Sequence, residues 1–167
     1  MEATAAPQTA VPGEAYPVKW PMGRVIAFSI LSLGLYSFYW FYVTRKQVTQ
    51  QVGGNDNAGL QTLGLIVPIL NFVIAYWLWR DIGELRQRVG LSEMNVTLYM
   101  VLFVVGAIFF PPLVAVVYIL VLQALNEYWD ASTNGAAVNK PITSGEIAVT
   151  LAGFAFIALI LIVAVVS

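Results

Sequence analysis

The sequence predicts an all-α integral membrane protein with about five transmembrane helices. Two features of its composition carry this prediction: 59 % of the 167 residues are hydrophobic and only 10 % are charged. Soluble domains have about 45–50 % apolar and about 25 % charged residues. The third feature is that the charges leave four long intervals of the chain empty. These intervals are 25–44, 57–79, 94–126 and 147–167.

The lengths of these intervals set the expected number of crossings. A helix rises 1.5 Å per residue, so about 20 apolar residues cross a hydrocarbon core of about 30 Å. The first, second and fourth intervals therefore fit one crossing each. The interval 94–126 is too long for one, and Pro111 and Pro112 near its middle remove backbone donors and break a helix. Two helices joined there give five crossings, and one kinked helix would give four.

A third topology follows from the positions of the helix breakers. Gly34 and Pro68 interrupt the first and second intervals, as Pro111 and Pro112 interrupt the third. If each breaker made a half-deep re-entrant hairpin, all eight Lys and Arg would lie on one face of the membrane. The first helix would then be short, and its ends would need protein cover within the membrane. Re-entrant hairpins therefore rank behind the spanning topologies.

The ends and loops of the chain have distinct compositions. Residues 1–23, rich in Ala, Pro and Thr, are predicted to be a disordered tail, and residues 131–145 a polar loop. A capping box, Thr143 to Glu146, precedes a C-terminal transmembrane helix at 146–167. With five crossings, six Lys and Arg lie on one side and two on the other, which places the N-terminus in the cytoplasm.

An internal repeat relates two parts of the chain. Residues 39–53 align with 76–90 at an offset of 37, sharing a Tyr-Trp pair and a closing Val-Gly. With one crossing per unit these would be inverted repeats, an arrangement familiar in transporters. The alternative is that any two membrane helices ending in an aromatic belt look alike.

Aromatic residues cluster where the apolar runs give way to charge. We interpret them as an interfacial girdle, with a cation or sugar site as the alternative. The cluster consists of Tyr36, Tyr39, Trp40, Tyr42, Tyr76, Trp77 and Trp79.

Part of this cluster carries a family resemblance. Residues 24–42 resemble the signature of DUF4234, a family of small prokaryotic membrane proteins. They consist of Arg24, an apolar run over 25–32, and then Leu-Gly-Leu-Tyr-Ser-Phe-Tyr-Trp-Phe-Tyr at 33–42. Gln123 with Asn126 is similar to a later pair in that family. The resemblance covers a membrane domain at 24–130. It implies a multi-pass protein of the prokaryotic inner (plasma) membrane, and it implies no activity.

Three polar residues interrupt the apolar runs. Asn71 lies three residues after Pro68, and Gln123 and Asn126 share one helix face. Buried amides need hydrogen-bond partners, so these side chains are expected to join helices. The alternative is a polar path through the membrane.

The residue types present argue against enzymatic catalysis. With no Cys and no His, the chain lacks the usual nucleophile, general base and metal ligands. A net charge of −1 gives no basic field for nucleic acid. We therefore expect a non-enzymatic multi-pass protein without catalytic residues, metal or cofactor. Besides the lipid bilayer, its expected partner is a second copy (a homo-oligomer) or a membrane-protein complex. A small transporter or channel subunit is the alternative.

Overall fold

The computed structural model describes residues 18–54 and 57–166, and 78 % of these residues are helical, so the all-α prediction is confirmed. The described residues form seven helices and two strands of two residues each. In chain order they are β1 Val18–Lys19, α1 Met22–Leu31, α2 Leu35–Val52, α3 Ala58–Gly64, α4 Pro68–Arg88, α5 Val96–Phe109, α6 Pro111–Ser132, β2 Val138–Asn139 and α7 Ser144–Val166. The strands β1 and β2 pair in parallel.

The first six helices form three antiparallel hairpins, α1–α2, α3–α4 and α5–α6. Their turns lie at 32–34, 65–67 and 110. Gly34 has a φ of 86°, a left-handed conformation that ends a right-handed helix. Pro68 and Pro111 are each the first residue of a helix, where the missing N–H costs nothing. The breakers therefore reverse the chain.

The intervals 25–44 and 57–79 were predicted to be continuous crossings, and the structure shows that each instead folds back at its breaker. The break predicted within 94–126 is present, between α5 and α6. Within the described residues, two helices, α6 and α7, are long and apolar enough to cross a membrane. Five crossings are therefore not confirmed.

The second helices of the three hairpins, α2, α4 and α6, all run in the same direction. Arg45 pairs with Asp81, and farther along both helices Arg88 donates to the carbonyl of Gln51, so α2 and α4 are parallel. The Tyr128 hydroxyl near the end of α6 donates to the Gln51 side chain. The two aligned segments are thus parallel, which is not the inverted arrangement that one crossing per unit would give.

The last helix, α7, packs on α1 and α2, antiparallel to α2. Near the start of α7, Glu146 accepts a hydrogen bond from the Tyr36 hydroxyl of α2. Near the middle of α7, Gly153 packs on Ser32, which lies in the turn between α1 and α2. From Gly153 it continues to Val166, about 20 Å farther at 1.5 Å per residue. This distal part passes beyond the turn of the α1–α2 hairpin.

The last six residues of the predicted tail, 18–23, belong to the fold, because β1 pairs with β2 and Trp20 is buried. The Asn126 side chain accepts from the Trp20 N–H and donates to the Trp20 carbonyl, both at 2.8 Å. This pair of bonds holds the start of α1 against α6. Residues 1–17 of the predicted tail lie outside the described residues.

We predict that Gly153→Ala destabilises the fold. A Cβ at this position would lie 2.5 Å from the Ser32 Cα, so backbone must move, at a cost of about 1–3 kcal/mol. Thermal unfolding in detergent measures the effect. Gly23→Ala is the matched control, because a Cβ there meets nothing within 4 Å. Equal melting temperatures for the two variants would contradict the packing of α7 on the first turn.

Candidate membrane interface

The Lys and Arg residues lie at one end of the hairpins. We call this the polar end; it consists of residues 18–24, 44–52, 79–88, 123–132 and 138–146. It contains all eight Lys and Arg. The apolar end consists of the three turns, 32–34, 65–67 and 110. The bundle is therefore strongly polarised along its length.

The length of helix between the turn and the first charge differs among the three hairpins. The first charge after the turn is Arg45 in α2 and Arg80 in α4, about 16 Å and about 18 Å of helix from Gly34 and Pro68. In α6 the first charge after the turn is Glu127, about 24 Å of helix from Pro111, and Gln123 lies about 18 Å from it. The charge-free sections of α2 and α4 thus have about half the thickness of a hydrocarbon core, and that of α6 is longer.

A buried ion pair joins α2 to α4. Arg45 Nη1 lies 2.5 Å from Asp81 Oδ2, and the two side chains are 3 % and 6 % exposed. Arg80 binds the other carboxylate oxygen at 2.9 Å. A buried charge that loses its partner is strongly unfavourable, so this pair fixes the two helices side by side.

Further ion pairs bind α6 to its neighbours. The buried Arg86 donates from Nη1 to Glu127 Oε2 at 2.6 Å and to the Ala124 carbonyl at 2.9 Å. Lys19 Nζ lies 2.8 Å from the Asp130 carboxylate. Together with the pair between α2 and α4, these contacts connect the three hairpins at the polar end.

A polar cluster joins α7 to the first hairpin. The fully buried Glu146 accepts a hydrogen bond of 2.6 Å from the Tyr36 hydroxyl, and Arg24 Nε lies 3.6 Å away. The Glu146 carboxylate also accepts from the Thr143 N–H at 3.0 Å, and the Glu146 N–H donates back to the Thr143 hydroxyl at 3.3 Å. The predicted capping box is thus confirmed, and the same carboxylate also secures α2.

Lys140 lies over the same region in an unusual environment for a lysine. Its Nζ is 3.9 Å from the centre of the Trp20 ring and donates to the Tyr39 hydroxyl at 3.4 Å. Burial lowers the pKa of Lys140 to about 8; Glu146 raises it and Arg24 lowers it further. The ammonium group therefore loses its proton close to physiological pH.

The apolar end exposes large aliphatic and aromatic side chains. Ile30, Ile69 and Phe109, one beside each turn, are 70 %, 78 % and 78 % exposed. No charged side chain lies at the three turns, all of which are within the described residues. Such a surface is costly in water and matches the interior of a bilayer.

The backbone at the first and third turns satisfies its own donors. All six amides from Ser32 to Ser37 donate within the chain, the Tyr36 N–H to the Ser32 hydroxyl at 2.8 Å. At the third turn the Phe110 N–H donates to the Gly106 carbonyl and the Leu113 N–H to the Phe110 carbonyl. The two residues between are prolines and have no N–H to satisfy. Neither turn needs water at its amides.

The three predicted polar contacts do not come together. Asn71 lies one turn into α4, near the apolar end, and its buried Oδ1 has no hydrogen-bond partner among the described residues. Gln123 lines a cavity of about 340 Å³ at the polar end, beside Arg86 and Glu127. Asn126 is engaged with the Trp20 backbone. They form no shared path.

The aromatic cluster divides between core and surface. Tyr36, Trp40 and Trp79 are buried, so the interfacial interpretation does not describe them. Burial follows from packing, because the Trp40 and Trp79 rings both meet Tyr118 of α6 edge-on, at 6.0 and 6.3 Å. Tyr39 is half-buried. The exposed members, which remain candidates for a girdle, are Tyr42, Tyr76 and Trp77.

Among the described residues there is no set of metal-ligating side chains, and the comparisons with known proteins found no match. Over 18–54 and 57–166 no group of three or more His, Cys, Asp or Glu side chains is placed to hold a metal ion. No protein-family model, curated protein or solved structure matches the chain.

We predict that Asp81→Asn destabilises the fold by about 3–5 kcal/mol, because it leaves the Arg45 charge buried without its carboxylate. Chemical denaturation in mixed micelles measures the change. Glu84→Gln is the matched control: it removes an exposed pair with Arg88 on the same helix, where about 0–1 kcal/mol is expected. Similar losses in the two variants would contradict a special role for the buried pair.

Lys140 is predicted to make stability depend on pH. Between about pH 8 and 10.5 the unfolded chain keeps the Lys140 proton while the folded chain has lost it. The free energy of unfolding should therefore rise with pH across this window. Melting temperatures of the wild type and of Lys140→Gln, measured through the window, test this. The variant should lack the Lys140 part of the rise, and an identical pH slope in both would contradict the shift.

Proposed function

We propose that the chain is an integral membrane protein that inserts three helical hairpins into one leaflet and crosses the bilayer with α7 alone. The observation that carries the proposal is a match of lengths. The charge-free sections of α2 and α4 are about 16–18 Å long, half of a core of about 30 Å, and in α6 Gln123 lies about 18 Å from the turn. From Glu146 to Val166, α7 spans about 30 Å, the whole core.

The turns support this placement. In hydrocarbon an unsatisfied peptide group costs several kcal/mol, so irregular backbone is tolerated only where its groups are satisfied. The first turn uses every amide from Ser32 to Ser37 and is covered by Gly153 of α7. The third uses prolines where amides would be free. These turns meet the requirement for a position inside the bilayer.

The charges set the orientation. In this topology all eight Lys and Arg lie on one face, and the positive-inside rule makes that face cytoplasmic, with the N-terminus. Five crossings would instead divide these charges between two faces. They would also make successive crossings antiparallel, whereas α2 and α4 run in parallel. On the resemblance of residues 24–42 to DUF4234, we further propose that this membrane is the prokaryotic inner membrane.

Within that membrane the proposed role is non-enzymatic and rests on association, with a second copy or with a membrane complex. The buried charged groups support it, since Arg45, Asp81 and Arg86 are engaged in contacts between helices. The distal part of α7 leaves an apolar surface exposed toward its surroundings. No observation favours the transporter alternative, because Asn71 and Gln123 lie at opposite ends of the bundle.

Single cysteines test the topology, and the chain has no native Cys to remove. Cysteines replace Gln50, Gln87, Asn139 and Phe110 one at a time, and a membrane-impermeant maleimide is added from each side of oriented vesicles. We expect the first three to react from the same side and Phe110→Cys to react from neither. Five crossings would instead place positions 50 and 110 on the side opposite position 87.

The same variants test association. Extracted in a gentle detergent, the chain is expected to migrate as an oligomer or together with a bound membrane protein. Recovery of a free monomer alone, with the topology as predicted, would contradict the proposed role while leaving the hairpins in place.

A further inference from the structure

The cross-section of the structure is much larger at the level of the hairpins than along the distal part of α7. At the level of the hairpins the bundle contains α1 to α6 and the first part of α7. Beyond the first turn α7 continues for about 20 Å, and among the described elements it contacts α1 and α2 alone. The molecule is therefore broad at the polar end and one helix wide at the far end of α7.

The difference in area follows from helix packing. Neighbouring helices lie about 8–10 Å apart, so each takes up about 70 Å² of a leaflet. If the hairpins occupy one leaflet, six additional helices expand it by about 400 Å² more than the opposite leaflet. Two coupled leaflets of unequal area relieve the mismatch by bending, with the expanded leaflet on the convex side.

A wedge acts on the membrane only if it keeps its shape. The three hairpins are held together at the polar end by the buried Arg45–Asp81 pair and by Arg86 with Glu127. Between the ends, the Phe103 and Tyr118 rings pack at 90° with centres 5.7 Å apart, and Trp79 meets both. Contacts at two levels therefore oppose spreading of the hairpins.

From this asymmetry we infer that the chain bends the bilayer and collects on curved membrane, with the hairpin leaflet convex. The ligand of this activity is the lipid bilayer itself, recognised by its curvature. The inference rests on the hairpin topology proposed above. For a cytoplasmic polar end, the favoured sites are places where the cytoplasmic leaflet is convex.

The sign of the effect provides the test, because it must reverse with orientation. The full chain with Gln50→Cys is labelled with a fluorophore and reconstituted into giant vesicles of phosphatidylcholine and phosphatidylglycerol. Thin membrane tethers, whose outer leaflet is convex, are pulled from them. An impermeant quencher added outside leaves the signal of molecules whose polar end faces the lumen. Labelling after reconstitution selects those whose polar end faces outward.

For outward-facing molecules, the ratio of protein density on the tether to that on the flat membrane should exceed one and increase as the tether narrows. For lumen-facing molecules it should be below one. Gln87→Cys, labelled at the same end of the bundle, should give the same two ratios, which excludes an effect of the fluorophore. Equal ratios in the two orientations, or ratios of reversed sign, would overturn the inference.

The two proposals fail in different ways. If position 50 reacts from the side opposite position 87, the hairpin topology is wrong and the wedge is lost with it. If all three positions at the polar end react from one side but the tether ratios do not depend on orientation, the hairpins stand and the curvature inference alone is wrong.

Discussion

A peptide amide within hydrocarbon must find its acceptor inside the chain, and the first and third turns meet this constraint. In the first turn the Ser32 hydroxyl accepts from the Tyr36 N–H, and the surrounding amides bond to nearby carbonyls. In the third, proline removes the donors that would otherwise be free. Because their amides are satisfied within the chain, these two turns meet what a position inside a bilayer requires.

The parallel arrangement of α2, α4 and α6 has its own electrostatic consequence. Their C-terminal ends meet, and each helix carries a partial negative charge there. Arg86 and Arg88 lie in the last turn of α4, and Arg88 also donates to the Gln51 carbonyl near the end of α2. The cations of the polar end thus neutralise helix ends as well as carboxylates.

The charge-free intervals correctly indicate where helices form, and Gly34, Pro68 and Pro111 indicate where they break. Whether the chain continues or reverses at a break is decided by distant contacts, such as that of Ser32 with Gly153. An isolated interval has the same composition in either case. The sequence therefore predicted the breaks, but it favoured continuous helices over reversals of the chain at Gly34 and Pro68.

Side-chain roles were predictable only where the partner is local. The capping box depends on four neighbouring residues and could be recognised. Asn126 binds the backbone of Trp20, and a backbone partner leaves no mark in the sequence. Tyr36 and Tyr42 belong to one aromatic run, yet one is buried and the other exposed. Because aromatic residues surround that helix, no apolar stripe shows which of its faces packs inward.

The contact between Tyr36 and Glu146 also limits when the first hairpin can complete its packing during synthesis of the chain. The two residues are separated by 110 positions, so the ribosome delivers the partner of the first hairpin only with the last helix. Until then Tyr36 and Ser32 lack the cover that α7 provides, and Arg24 lacks its carboxylate. The first hairpin therefore stays incompletely packed while the second and third hairpins are synthesised. Folding is thus completed from the C-terminal end, and a chain stopped before α7 leaves its earliest helices incompletely packed.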